Sequence, residues 1–170
     1  MTTSTINTPA DTTPAAPPRL NAELFADEPA ILAMVEHWTM DQLFAIGNML
    51  LSEGDRRGAQ ELLEILRDLC AQPPENPDSP VVKIEFVTDS PYEDGVFWDG
   101  DMIYLHRADG SVEEFYWPED PQDPEWDAMA TRYADLLADY ARADHPQEGD
   151  HLVVDLVSGE FRQTGQWSLC

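Results

Sequence analysis

The sequence predicts an α+β fold: an N-terminal helical hairpin region packed with an antiparallel β-meander, one further helix and a C-terminal β-hairpin. Three observations predict it. Apolar residues recur at helical spacing from Leu20 to Cys70, the period drops to two from Val81 onward, and helical spacing returns from Trp126 to Tyr140 ahead of a last alternating pair. With 170 residues, 42% of them hydrophobic, and five Trp, five Tyr and six Phe, the chain can build a core, which excludes general disorder.

Residues 1–19 are rich in Thr, Pro and Ala, with Pro9, Pro14, Pro17 and Pro18; such a segment buries too little to offset its ordering and is expected to be a tail. Residues 20–170 are expected to form one domain, helical over 20–72 and β-rich and acidic over 81–170. Asn21 can cap a short turn through Phe25. Asp27 caps the next helix, with Pro29 in its first turn and Ile31, Leu32, Met34 and Val35 as its apolar positions. Thr39-Met40-Asp41-Gln42 has capping-box spacing and starts a helix carrying Leu43, Phe44, Ile46, Leu50 and Leu51. Gly54 is expected to end that helix, and Asp55 to start another through Leu62, Leu63, Leu66, Leu69 and Cys70, stopping before Pro73-Pro74.

The stretch Leu43–Ala71, with Leu43, Ile46-Gly47, Leu50, Gly54, Ala59 and Leu63 on its small and large positions, resembles one tetratricopeptide-type helical hairpin. The resemblance implies two antiparallel helices closely packed where Gly47 and Ala59 remove bulk. A second copy does not follow, and such arrays need about three repeats, so the stretch is read as a generic αα-hairpin.

Pro-rich residues 71–80 connect to the strands. Val82, Ile84 and Phe86 alternate with Lys83 and Glu85, placing the two sets on opposite faces. Asp99-Gly100 and Asp109-Gly110 are hairpin signals. Two-residue loops at both would set Phe97 opposite Met102, Tyr104 opposite Phe115, Met102 opposite Trp117 and His106 opposite Glu113. Asp123 and Pro124 start the last helix, with Trp126, Met129, Tyr133, Leu136, Leu137 and Tyr140 on one stripe. A Ser158-Gly159 turn joins His151–Val157 to Glu160–Gln166 and would set Asp155 opposite Arg162.

Charge is the strongest functional signal. The net charge is −25, split as −8 over residues 1–84 (thirteen acids, five bases) and −17 over 85–170 (twenty-one acids, four bases). A field of that sign repels nucleic acid and anionic membranes and attracts basic proteins and cations. Glu85–Asp127 alone holds fourteen carboxylates and one basic residue, Arg107. Residues on one strand face recur at roughly 6.6 Å, and residues four apart on a helix at about 6 Å. Both approximate the spacing of successive phosphates. This electrostatic character is similar to that of DNA-mimic inhibitors as a class: anti-restriction and anti-CRISPR proteins, glycosylase inhibitors and nuclease immunity proteins.

The expected function is therefore a non-enzymatic, acidic inhibitor that binds a basic nucleic-acid-binding protein or nuclease in place of its polyanion. Glu113, Glu114, Glu119, Asp120, Asp123, Glu125, Asp127, Asp135 and Asp139 would carry the charge, and Trp98 or Trp117, if exposed, would add an anchor. The rival expectation is an adaptor or assembly module that uses the apolar groove of the helical hairpin, with acidity serving solubility. Oligomeric state is left open, a homodimer among the options.

Other chemistries have weaker support. His106 with Glu113 could act as a base and its orienter, but no Ser or Cys sits in a nucleophile setting, so no catalytic residue is assigned. The Asp120–Asp127 run lacks the alternating ligand spacing of a calcium loop, and the four His and two Cys are scattered, so no metal and no cofactor is expected. Cys70 falls in an apolar helical pattern and Cys170 is the last residue, which makes no disulfide framework. Without a basic-then-apolar start or a long apolar run, the chain is expected to be cytoplasmic, with no membrane contact.

Overall fold

The computed structural model describes residues 27–71, 79–89, 95–116 and 124–165. The elements follow the order α1 (Glu28–Val35), α2 (Met40–Ala71), β1 (Val81–Thr88), β2 (Trp98–Arg107), β3 (Val112–Tyr116), α3 (Pro124–Asp144), β4 (His151–Asp155) and β5 (Phe161–Thr164). The expected tail, the Asn21 turn and residues 72–78 of the 71–80 connector lie outside the described residues. The fold is α+β, with an antiparallel five-stranded sheet of order β3-β2-β1-β4-β5.

The chain divides into two compact units, Met1–Ile46 and Gly47–Cys170. In the first, the N-terminal signals act as expected. Asp27 Oδ1 accepts from the Ala30 amide at 3.2 Å, Pro29 sits in the first turn, and no residue of α1 is buried. The α2 capping box is complete: the Thr39 amide donates to Gln42 Oε1 at 2.9 Å, and the Gln42 amide donates to Thr39 Oγ1 at 3.3 Å.

The helical hairpin expected over Leu43–Ala71 does not form, and the tetratricopeptide resemblance fails with it. Residues Met40–Ala71 are one helix of 32 residues, running through Gly54. Gly54 does not enter the left-handed region that ends helices, unlike Gly95, Gly110, Gly149 and Gly159. A glycine inside a helix costs only about 1 kcal/mol relative to alanine, and here ion pairs span it. Arg56 Nε and Arg57 Nε donate to Glu53 at 2.8 and 2.7 Å, holding its carboxyl down at about 2.

In the second unit, α2 turns inward only in its C-terminal half, where Leu62, Leu63 and Leu66 are buried. They join Tyr133, Leu136, Leu137 and Ala141 of α3 against Ile84, Phe86, Ile103, Leu105, Leu152 and Val154 of the sheet. Each fully buried large side chain there, such as Phe86, Leu62 or Ile103, is worth roughly 1.5–3 kcal/mol. The Phe86 and Tyr133 rings lie 6.4 Å apart, and Tyr133 Oη donates to the Gly100 carbonyl at 3.1 Å. A Cβ at Gly100 would meet Leu137 Cδ2 at 3.4 Å, so the missing side chain seats α3 on β2.

Three strand registers differ from the sequence reading. Asp99-Gly100 is not a turn but part of β2; its turn chemistry is used locally, Asp99 Oδ1 accepting from the Asp101 and Met102 amides at 2.9 and 3.0 Å. Phe97 is therefore not set opposite Met102. The Asp109-Gly110 turn is real, but its loop holds three residues, closed by the Arg107 amide on the Ser111 carbonyl at 2.9 Å, with Gly110 at φ 86°. The extra residue slips the register by one. Met102 pairs with Tyr116, Tyr104 with Glu114, and His106 with Val112 rather than Glu113. At the last hairpin, Val153 pairs with Arg162, and Asp155 meets Glu160, its amide donating to that carbonyl. Asp155 instead closes the turn by accepting from the Val157 and Ser158 amides at 3.0 and 2.8 Å.

Candidate binding surface

The groups that sequence placed in one acidic row divide by the geometry of the second unit. Strand alternation points Glu113 to the helix-bearing side of the sheet and Glu114 to the other. Glu113 is neutralised by Arg107, whose Nη2 donates at 2.6 Å, while Glu114 accepts from Tyr116 Oη at 3.2 Å. Trp98, offered as an exposed anchor, is buried at 5% exposure, its Nε1 without a hydrogen-bond partner. It belongs to the core cluster between sheet and helices, so the anchor role is corrected. Glu119, Asp120, Asp123 and Trp117 fall outside the described residues.

Helix α3 does bring acids together. Its inward side is Tyr133, Leu136, Leu137 and Ala141. At 3.6 residues per turn, Asp127, Asp135 and Asp139 project from the opposite, exposed side, with Glu125 at the N-terminal end. Asp139 is paired with Arg142 at 2.8 Å, whereas Asp127 and Asp135 make no ion pair among the described residues. Nor are the two arginines of this ridge unengaged. Arg142 lies 5.6 Å above the Phe97 ring, and Arg132 Nε donates to Glu61 of α2 at 2.6 Å. That bridge drives the Glu61 carboxyl below its ordinary range.

Two concavities flank the ridge. On one side a recess is lined by Asp89, Asp99 and Asp101 together with Phe97, Trp98, Gly100, Ala134, Leu137 and Ala138. On the other, a groove of about 600 Å³ opens between α2 and α3, lined by Leu51, Gly54, Asp55, Gly58, Ala59, Leu136, Asp139, Tyr140, Arg142 and Ala143. A Cβ at Gly54 would meet nothing within 4 Å, and one at Gly58 only Leu136 Cδ2 at 3.7 Å, so the α2 wall is bare backbone there.

A constellation that sequence reasoning missed lies on the opposite sheet face. Glu85 is fully buried, and each of its carboxylate oxygens holds one imidazole: His106 Nε2 at 2.7 Å and His151 Nδ1 at 2.8 Å. The residues stand 21 and 66 positions from Glu85, a separation that no local spacing reveals. The two contacts occupy different oxygens rather than converging on a point, and among the described residues no group of three His, Cys, Asp or Glu side chains could hold a metal ion.

Cys70 is half-buried, and burial pushes its thiol up to about 11; at neutral pH it carries almost no thiolate, the nucleophilic form. Among the described residues no helix is long and apolar enough to cross a membrane. The exposed large hydrophobic side chains among the described residues include Leu32, Met34, Trp38, Met40 and Phe44 of the first unit and Met49, Leu50 and Leu51 of the second.

No family model matches the chain, and no curated protein or solved structure shows significant similarity to it.

Proposed function

We propose that this chain is a non-enzymatic binding protein for a basic partner, a nucleic-acid-binding protein or nuclease whose polyanion site its carboxylates occupy. The observation that carries the reading is the α3 ridge: Asp127 and Asp135 exposed on one helix without ion pairs among the described residues, Asp139 beside them, and the Asp89, Asp99 and Asp101 recess along one flank. Carboxylates fixed on a helix lose little entropy on contact, and a net charge of −25 steers a basic surface toward them. Binding of this kind releases counterions, so it weakens as salt rises. The test is affinity capture of basic proteins at low and high salt with wild type and with Asp127→Lys, Asp135→Lys double substitution. Wild type is expected to capture them far more strongly at low salt than at high, and the double variant to capture them weakly at both. Equal retention by the variant would remove the ridge from the interface.

A second reading is favoured by the exposed apolar side chains of helix α2, Met40 and Phe44 in the first unit and Met49, Leu50 and Leu51 in the second: an adaptor or assembly module that docks through helical apolar surface, with acidity serving solubility. Exposed apolar area on this scale marks interaction sites in soluble proteins. Retention that persists at high salt and is lost on Leu50→Asp would select this reading over the first.

A further inference from the structure

We propose that the groove between α2 and α3 takes the apolar ridge of a basic amphipathic helix belonging to the partner. The inference rests on the basic-partner reading and names the place where that partner is gripped. The groove residues all belong to the second unit. Its walls are apolar, with Leu51, Leu136 and Tyr140 standing around Gly54, Gly58, Ala59 and Ala143. An inserted ridge of apolar side chains can thus reach α2 backbone directly, as in helix-in-groove recognition. At about 600 Å³ the groove is open rather than a shallow dimple, and it falls within the roughly 300–1,000 Å³ typical of occupied pockets.

Charge complementarity selects the flanks of the occupant. From Gly47 to Asp55, helix α2 carries Glu53 and Asp55 and neither Lys nor Arg. Asp55 makes no ion pair among the described residues, and beyond the α3 lip stand Asp135 and the acidic recess. The nearby cations are engaged: Arg56 and Arg57 by Glu53, Arg142 by Asp139 and the Phe97 ring. A second copy of this chain, at −25 like the first, would meet like charge overall. A helix with Lys or Arg beside its apolar ridge satisfies both parts of the site. Apolar contact then adds to the affinity that charge supplies, and the acidic groups select which partner is admitted.

The test uses the full chain and a fluorescein-labelled Leu/Lys peptide of about five helical turns, with Leu at i, i+3, i+4 and i+7. A control peptide keeps every Lys and replaces every Leu with Ala. Gly54→Trp fills the groove from a position with open space around it, and Ala143→Trp fills it from the exposed opposite lip. Gly54→Ala serves as the conservative variant. By anisotropy at about 0.15 M salt, wild type and Gly54→Ala are expected to prefer the Leu/Lys peptide by at least about tenfold. Both Trp variants should lose most of that preference while still binding the Ala/Lys control as wild type does. If the Trp variants keep the full preference, the groove is not the site, and the basic-partner reading stands without it. Equal binding of the two peptides by wild type overturns the apolar contact and leaves charge alone. Failure of both peptides to bind overturns the inference and the reading beneath it.

Discussion

Gly54→Ala separates the continuous helix from the hairpin that the sequence suggests, because the two give opposite signs. Gly54 lies fourteen residues inside the N-terminal end of a 32-residue helix, far from either frayed end, so the full helix-propensity difference applies. A Cβ placed there meets nothing within 4 Å, which removes any steric offset. Alanine is then expected to stabilise the helix by about 1 kcal/mol. Had Gly54 closed a helix in left-handed geometry, the same change would cost about 1–2 kcal/mol. The effect should register locally, since α2 buries no residue before Leu62 and poorly packed segments open without global unfolding. The assay is amide hydrogen exchange across residues 47–57, with far-ultraviolet ellipticity as a check on helix content. About 1 kcal/mol slows exchange through local opening by about fivefold. Gly47→Ala, likewise with nothing within 4 Å, should add an independent increment of the same size. Faster exchange or lost ellipticity in Gly54→Ala would refute the continuous helix.

Other consequences follow from particular contacts. Glu85→Leu strands His106 and His151, two imidazoles that its carboxylate holds in or near the sheet interior, and should lower the free energy of urea unfolding by about 2–5 kcal/mol; a loss under about 1 kcal/mol would show the triad to be solvated. Gly159 has φ 77° and would set a Cβ 2.9 Å from Leu63 Cδ2, so Gly159→Ala should destabilise by about 1–3 kcal/mol, read as a fall in Tm. Asp155 is held below its ordinary 3.8, first by the Ser158 amide and also by the Val157 amide and Lys83. A depressed carboxyl contributes stability above its unfolded value and loses it as pH falls through the folded one. Asp155→Ala should therefore flatten the decline in stability below about pH 4, and an unchanged acid limb would contradict this. Native Cys70, neutral because burial raises it to about 11, should resist iodoacetamide at pH 8 and react once urea unfolds the chain, as followed by mass spectrometry.

The fold class was legible because its signals are local and periodic. Asp27, Thr39 and Gln42 cap as their spacing states, and Ile84 and Phe86 of the alternation face the core as written, whereas Val81 rather than Val82 packs against it beside a register shift. Signals depending on loop length or long-range pairing were less legible. Asp109-Gly110 marked a turn, but nothing in the two residues distinguishes a two-residue loop from a three-residue one, and one residue reverses every side chain beyond it. Asp99-Gly100 carried equal turn propensity, yet it falls in an irregularity of the β1–β2 register, between the Thr88–Trp98 and Phe86–Ile103 pairs, rather than in a hairpin loop. Gly54 looked like a helix end because glycine is the usual residue there, but the Glu53 bridge to Arg56 and Arg57 spans it within one continuous helix. Of the acidic row, the α3 members lie where helical periodicity puts them. Glu114 faces the opposite side of the sheet from α3, a separation set by strand register and layer order. The Glu85 triad was illegible for a related reason: alternation marked Glu85 as outward, and only the placement of β4 beside β1 buries it.

The central claim is that charge brings the partner in and apolar contact holds it. Association and dissociation rates of a captured basic partner, measured between about 0.05 and 0.5 M salt, test it directly. Higher salt is expected to slow association by an order of magnitude or more while leaving dissociation nearly constant, with Leu51→Asp accelerating dissociation alone. Salt-independent association together with unchanged dissociation in Leu51→Asp would contradict both halves of the claim.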